Sequence, residues 1–211
     1  MKLKDLSLGD FKEKIKEKNG DLGGGGVCSS IAVLASALTI FVYNLSKDKD
    51  YFSKLGDKIK IEIEEKVKLI DDRIVLLENL IDQDGKAFNE VIKALSLPKK
   101  TDIEIENRQK ALKEGYKKAC NSPFQIADAI MDVMEASEIF SIYASKNAIT
   151  DVATSFILNY AALDSCLYNV EINLKGLDDA YRILARKKVQ DLRLRAGKIK
   201  NKNLEIIRER M

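Results

Sequence analysis

Residues Leu22 to Ser46 read LGGGGVCSSIAVLASALTIFVYNLS, a stretch without one charged side chain in a protein that is 33% charged. Four consecutive glycines, Gly23, Gly24, Gly25 and Gly26, free the backbone for positive φ and let another group approach it closely. The helix they feed is small-sided from Cys28 to Ala37 and bulkier from Leu38 to Tyr43. A helix apolar on every side belongs at the centre of a bundle. A membrane crossing is disfavoured, because only Ile31 to Tyr43 is densely apolar and a hydrocarbon core needs roughly 20 such residues. A signal peptide is disfavoured too, since mostly polar, mixed-charge residues precede the run and no small-residue cleavage site follows.

The flanking sequence is built for helices. Two prolines, Pro98 and Pro123, and 11 glycines are few breakers for 211 residues, which is the length of one domain spanning 1–211. Residues 5 to 19 carry Leu6, Leu8, Phe11 and Ile15 at near-helical spacing, with a stop at Asn19-Gly20. From Tyr51 the apolar positions keep three-and-four spacing as far as Leu97-Pro98, giving one very long helix or two with a kink. Thr101 to Asn121 forms the next helix, capped by Thr101 or Asp102, and Pro123 begins another at its first position, running to Lys146. Thr150 and Asp151 open a second charge-poor helix that reaches Leu174, and a last helix covers Asp178 to about Arg208. The expected fold is all-α, a helical bundle of six or seven helices with a glycine-rich lead into a buried central helix.

Composition narrows the chemistry. Histidine is absent, which removes the commonest general base and metal ligand, so acid–base work falls to Asp, Glu, Lys, Tyr or Cys. Three widely spaced cysteines, Cys28, Cys120 and Cys166, in apolar or small-residue settings read as buried free thiols of a cytoplasmic protein. Net charge is +3. The last helix carries eleven basic residues against three acidic ones between Arg182 and Arg210, but no aromatic follows Tyr181 and no nucleic-acid module is visible. That stripe reads as a solvated face, with attraction of a multiply charged carboxylate ligand as the alternative.

Several positions break the pattern. The core row Leu77, Ile81, Asp84, Phe88, Val91, Leu95 places Asp84 where an apolar side chain belongs. A buried carboxylate there is either tuned for acid–base work or faces a Lys or a helix N-terminus across the bundle. Asp82 and Asp84 resemble the start of a calcium loop, but position six would be Ala87 rather than Gly and the surroundings are helical. Asp151, Asn169 and Asn173 share one helix face, yet Asp151 and Asn169 are separated by roughly 27 Å and cannot touch one atom of a small substrate. Helix capping by Asp151 and interhelical hydrogen bonding by the asparagines are the plain alternatives. The glycine run lacks the GK[ST] ending of a phosphate loop, although backbone N–H groups at a helix start can hold an anion or a carbonyl oxygen.

Taken in order, these segments resemble the cyclodeaminase/cyclohydrolase family of folate enzymes, which includes methenyltetrahydrofolate cyclohydrolase and the formiminotetrahydrofolate cyclodeaminase domain. The family's PGGGSVAAL-like opening corresponds to LGGGGVCSS, followed by LASAL and NLS. Its L-x-D-x-D-x-x-A-F pattern is found as LIDQDGKAF at 80–88, followed by Leu97-Pro98. EGYKKACNSPFQIA resembles a later stretch, and the D-x17-N-V-x-I-N-L pattern is found as Asp151 and then NVEINL from Asn169. The chain departs from the family at Leu22, Gly26 and the mixed-charge SKDKDY loop. The resemblance implies a homodimer with a folate site at or near the subunit interface, and neither metal nor tightly bound cofactor. It implies Asp84 and Asp82 as catalytic residues, with Asp82 or Asp151 on the pterin amino edge. Gly23, Gly24, Gly25, Gly26, Lys49, Tyr51, Asp151, Asn169 and Asn173 are the implied substrate-binding set. The implied reaction is hydrolysis of 5,10-methenyltetrahydrofolate, with ammonia-releasing cyclodeamination or an inactive folate- or partner-binding dimer as alternatives.

Overall fold

The computed structural model describes residues 2–18 and 22–211, all helices and short connections with no strand among the described residues. A single 3-10 turn, Leu3–Asp5, leads into α1 (Leu8–Ile15), which Ser7 caps by accepting the Asp10 N–H. The expected stop at Asn19-Gly20 lies outside the described residues. Then follow α2 (Gly24–Ser46), a one-turn α3 (Asp50–Ser53), α4 (Asp57–Ser96), α5 (Asp102–Tyr143), α6 (Ile149–Asn173) and α7 (Asp179–Arg210).

α2 runs antiparallel to both α4 and α6. Ser29 donates to the Leu77 carbonyl at 2.7 Å, and Thr39 bonds Ser155 at 2.8 Å. α5 pairs antiparallel with α4 through Arg73–Asp132, and α7 closes the bundle over α5 and α6. The apolar centre lies mainly between α5 and α6, where Ile126, Ile130, Met134, Phe156, Leu163 and Leu167 are fully buried. All three cysteines are buried free thiols.

Several expectations are corrected. First, α5 is one helix of 42 residues with Pro123 inside it rather than two helices meeting there. Proline removes the N–H that would bond the carbonyl four residues back. That carbonyl belongs to Ala119, and the Asn173 amide takes it at 3.0 Å, so the helix continues without an unpaired buried acceptor. Second, α4 starts at Asp57, leaving Tyr51 in α3; its neighbour Phe52 is buried and meets Tyr43 edge-on at 6.2 Å. Phe88 and Leu95, read as core, are 54% and 45% exposed.

Third, α2 is not buried on every side. Ala32, Ala35, Thr39 and Val42 face the bundle, while Leu34, Phe41 and Leu45 are 64%, 48% and 41% exposed. By length and composition α2 could cross a membrane, and half of its most apolar window is buried inside the bundle. The basic α7 is extensively ion-paired rather than merely solvated: Lys188, Arg195 and Lys202 meet Asp128, Glu135 and Glu138 of α5, and Arg193 meets Asp164 and Glu171 of α6.

Candidate functional site

A cleft of about 250 Å³ lies at the N-terminus of α2 and is lined by Gly23, Gly24, Gly25, Asp84, Gly85, Phe88, Ala119, Asn169, Ile172 and Asn173. Four helices meet there, because α2 starts where α4 passes, where α6 ends and where Pro123 interrupts the α5 hydrogen-bond ladder. Among the described residues no Lys or Arg lines it.

Asp84 is its one ionisable group among the described residues. Ser122 donates to its Oδ1 at 3.1 Å, and the Gly26 N–H at the open end of α2 also bonds the carboxylate. The orphan N–H groups of a helix start favour such a charge. Burial nevertheless dominates and pushes the Asp84 carboxyl above the usual carboxylate range, with Ser122 and Gly26 pulling it part of the way back. The helix N-terminus that sequence reasoning offered as one partner of this carboxylate is therefore present, and it opens onto a cleft.

The glycines are needed for closeness. No described glycine has a positive φ, so the expected conformational freedom is not used. A Cβ built on Gly25 would overlap both Asp84 carboxylate oxygens; one on Gly24 would stand 3.1 Å from Asn169 Oδ1; one on Gly23 meets nothing within 4 Å. Gly26 packs against Leu22 and the backbone of Ile81, outside the cleft lining.

Other expected site residues lie elsewhere. Asp82 points to a different side of α4 and accepts the Leu3 N–H at 2.7 Å, while Lys4 pairs with Glu78 at 3.1 Å; together they pin the N-terminal segment to α4. Asp151 stands in the first turn of α6, at the end away from the cleft, and is not its cap; Ala148 occupies that position. Lys49 and Tyr51 follow the C-terminus of α2, roughly 33 Å along the helix axis from its start. Asn169 and Asn173 do reach the cleft, where Asn173 donates to the carbonyls of Ala119 and Asn169.

Sequence reasoning passed over Ser122, Gly85, Phe88, Ala119 and Ile172. The small residues Gly85 and Ala119 were the available signal, since both stand on long helices where bulk would close the cleft. Beneath Asp84 lie Cys28 and Cys166. Cys166 donates to the Pro123 carbonyl at 3.2 Å, and the interaction between the two thiols holds Cys28 below and Cys166 well above the usual value.

Residues 7–191 match the profile of the family described as Formiminotransferase-cyclodeaminase. The chain belongs to that family. Among relatives of this chain is the methenyltetrahydrofolate cyclohydrolase of Methylorubrum extorquens, 29% identical over 194 residues, covering 90% of this chain and 89% of the relative. The formimidoyltransferase-cyclodeaminase of Rattus norvegicus is 25% identical over 191 residues, and the match spans 90% of this chain but only 35% of that longer protein. A solved structure, the formiminotetrahydrofolate cyclodeaminase of Thermotoga maritima, superposes with a TM-score of 0.78 at 23% identity over 99% of this chain and 97% of that one. At that identity the likeness is one of fold.

Proposed function

We propose that this chain is a folate one-carbon enzyme that hydrolyses 5,10-methenyltetrahydrofolate to 10-formyltetrahydrofolate, using Asp84 as general base. The observation that carries the reading is a desolvated carboxylate, with no Lys or Arg beside it among the described residues of the cleft, set against bare glycine backbone. The bridging carbon of the substrate carries amidinium charge, and a carboxylate beside it stabilises that cation without a competing ion pair. Asp84 accepts a proton from water as the water oxygen bonds the bridging carbon. Returning that proton to N5 as the N5–carbon bond breaks, with the hydroxyl proton of the adduct released to solvent as the C=O forms, leaves the formyl group on N10. A carboxyl with a raised pKa suits both halves of the exchange. Gly23 and Gly24 present backbone to the pterin, and Phe88 and Ile172 give apolar contact at the mouth. The reading needs no metal or tightly bound cofactor and places the protein in the cytoplasm as a homodimer, with or without a polyglutamate tail on its substrate.

Cyclodeamination is the second reading. It is supported by the likeness to the Rattus norvegicus relative and requires a proton for the departing ammonia, which a carboxyl of raised pKa can supply. Following the methenyl chromophore separates the readings. Protein-dependent loss from 5,10-methenyltetrahydrofolate supports hydrolysis, and appearance from formiminotetrahydrofolate with ammonia release supports deamination. No change in either assay overturns both and leaves a binding protein.

A further inference from the structure

Residues 2–18 lie across the joint between α2 and α4. Leu3, Leu6 and Phe11 border one apolar groove together with Val27 and Ile31 of α2 and Ile81 of α4, yet no residue of 2–18 is buried. Burial therefore does little to hold this segment, and its polar anchors decide whether it stays. Lys4 meets Glu78 with the two side chains 24% and 36% exposed, an ion pair of a kind that contributes little. The Leu3 N–H meets the Asp82 carboxylate at 2.7 Å, a short charge-assisted bond and the stronger of the two.

The joint under this segment is the one that makes the cleft. Leu22 is 5% exposed and fills the place of a Gly26 side chain: a Cβ there would stand 2.5 Å from Leu22 Cδ1 and 3.4 Å from the Ile81 carbonyl. The N–H of the same glycine bonds Asp84, while the bare Gly25 backbone lies directly against the carboxylate. A small drift of α2 away from α4 therefore breaks the Gly26 bond. We propose that Asp82 is a positioning residue: by holding the Leu3 N–H it fastens residues 2–18 over the α2–α4 joint, and so keeps the Gly26 N–H on Asp84 without itself touching substrate. Two residues turn a helix by roughly 200°, which lets one short motif carry both the acid and its clamp. The effect on turnover rests on Asp84 as the general base, whereas the clamp stands on these contacts alone.

Leu3 follows Lys2, whose ψ of 148° is the conformation that precedes proline, and it opens a helical turn. Leu3→Pro thus removes the N–H without disturbing the turn, and Leu3→Ala, which loses the side chain but keeps the N–H, is its control. Asp82→Ala removes the acceptor, and Asp82→Asn keeps one. For each variant the Asp84 carboxyl is titrated by NMR, kcat and KM are measured in the methenyl assays, and circular dichroism shows that the bundle is intact. Asp82→Ala and Leu3→Pro are expected to release the Gly26 bond, which opposes the effect of burial, so Asp84 should titrate at higher pH. Their kcat should fall roughly tenfold, the worth of one hydrogen bond to a charge, with KM little changed. The two combined should do no more than either alone, and Asp82→Asn and Leu3→Ala should stay near wild type. An Asp84 titration that does not move, losses that add, or an Asp82→Asn as slow as Asp82→Ala overturns the clamp. A wild type inactive in both methenyl assays, with the Asp84 titration still moved by Asp82→Ala and Leu3→Pro, overturns the folate reading and leaves the clamp standing.

Discussion

Gly25 lacks a side chain where the Asp84 carboxylate stands: a Cβ on Gly25 would occupy the space of both carboxylate oxygens. The helix start and the acid were shaped for each other, and substitutions along the glycine run should grade accordingly. Gly25→Ala must displace Asp84 or the end of α2, and is expected to cost about 1–3 kcal/mol and most of the turnover. Gly24→Ala, with Asn169 Oδ1 at 3.1 Å, should be intermediate, and Gly23→Ala, with open space, nearly neutral. Urea unfolding together with kcat across the three variants checks the order.

Ser122 tempers the effect of burial on Asp84. Its hydroxyl bonds the carboxylate at 3.1 Å and opposes the effect of burial. Ser122→Ala removes that bond, so the Asp84 pKa should rise further. A base must be ionised to act, and the acid limb of the kcat profile should move to higher pH while activity on the alkaline side falls less. A pH profile for wild type and variant decides; an unmoved limb would separate Ser122 from the acid.

The raised pKa of Asp84 predicts a stability cost at neutral pH. A carboxyl whose folded pKa is raised binds its proton more tightly in the folded state. Its favourable contribution is therefore present below the unfolded pKa and is lost as pH rises through the folded pKa. At neutral pH Asp84→Asn should unfold at a temperature equal to or a few degrees above wild type, given about 2–4 °C per kcal/mol for a chain of this size. At pH 3 to 4 the advantage should disappear. Thermal melts at the two pH values test the sign.

Asn173→Leu leaves the Ala119 carbonyl, freed by Pro123, without its donor. A buried acceptor without a partner costs about 1–3 kcal/mol. The double variant Asn173→Leu/Pro123→Ala restores the backbone N–H at 123 and should recover part of that loss, measured as a shift in the urea midpoint.

Much of this arrangement was legible in the sequence. The uncharged run, the apolar periodicity and the capping signals located the helices, and LIDQDGKAF marked Asp84 as a carboxylate out of place. What escaped was whatever depends on a partner far along the chain. Pro123 reads as a helix start until Asn173, fifty residues on, is seen to take up the carbonyl it frees. Phe88 and Leu95 keep helical spacing, but spacing cannot tell a core face from an exposed one, and Phe88 stands at the cleft instead. Asp82 shares a motif with Asp84 and faces another way, because two residues turn a helix by roughly 200°. Ser122 carries no local signal, as its importance comes from Asp84 on the neighbouring helix.

The most direct test is single-turnover decay of the 5,10-methenyltetrahydrofolate chromophore with wild type and Asp84→Asn, each first shown to bind the substrate. Loss of a general base is worth about 10²–10⁴ in rate, so the variant should bind and turn over at least a hundredfold more slowly. An Asp84→Asn chain that hydrolyses the bridge at the wild-type rate would contradict the account.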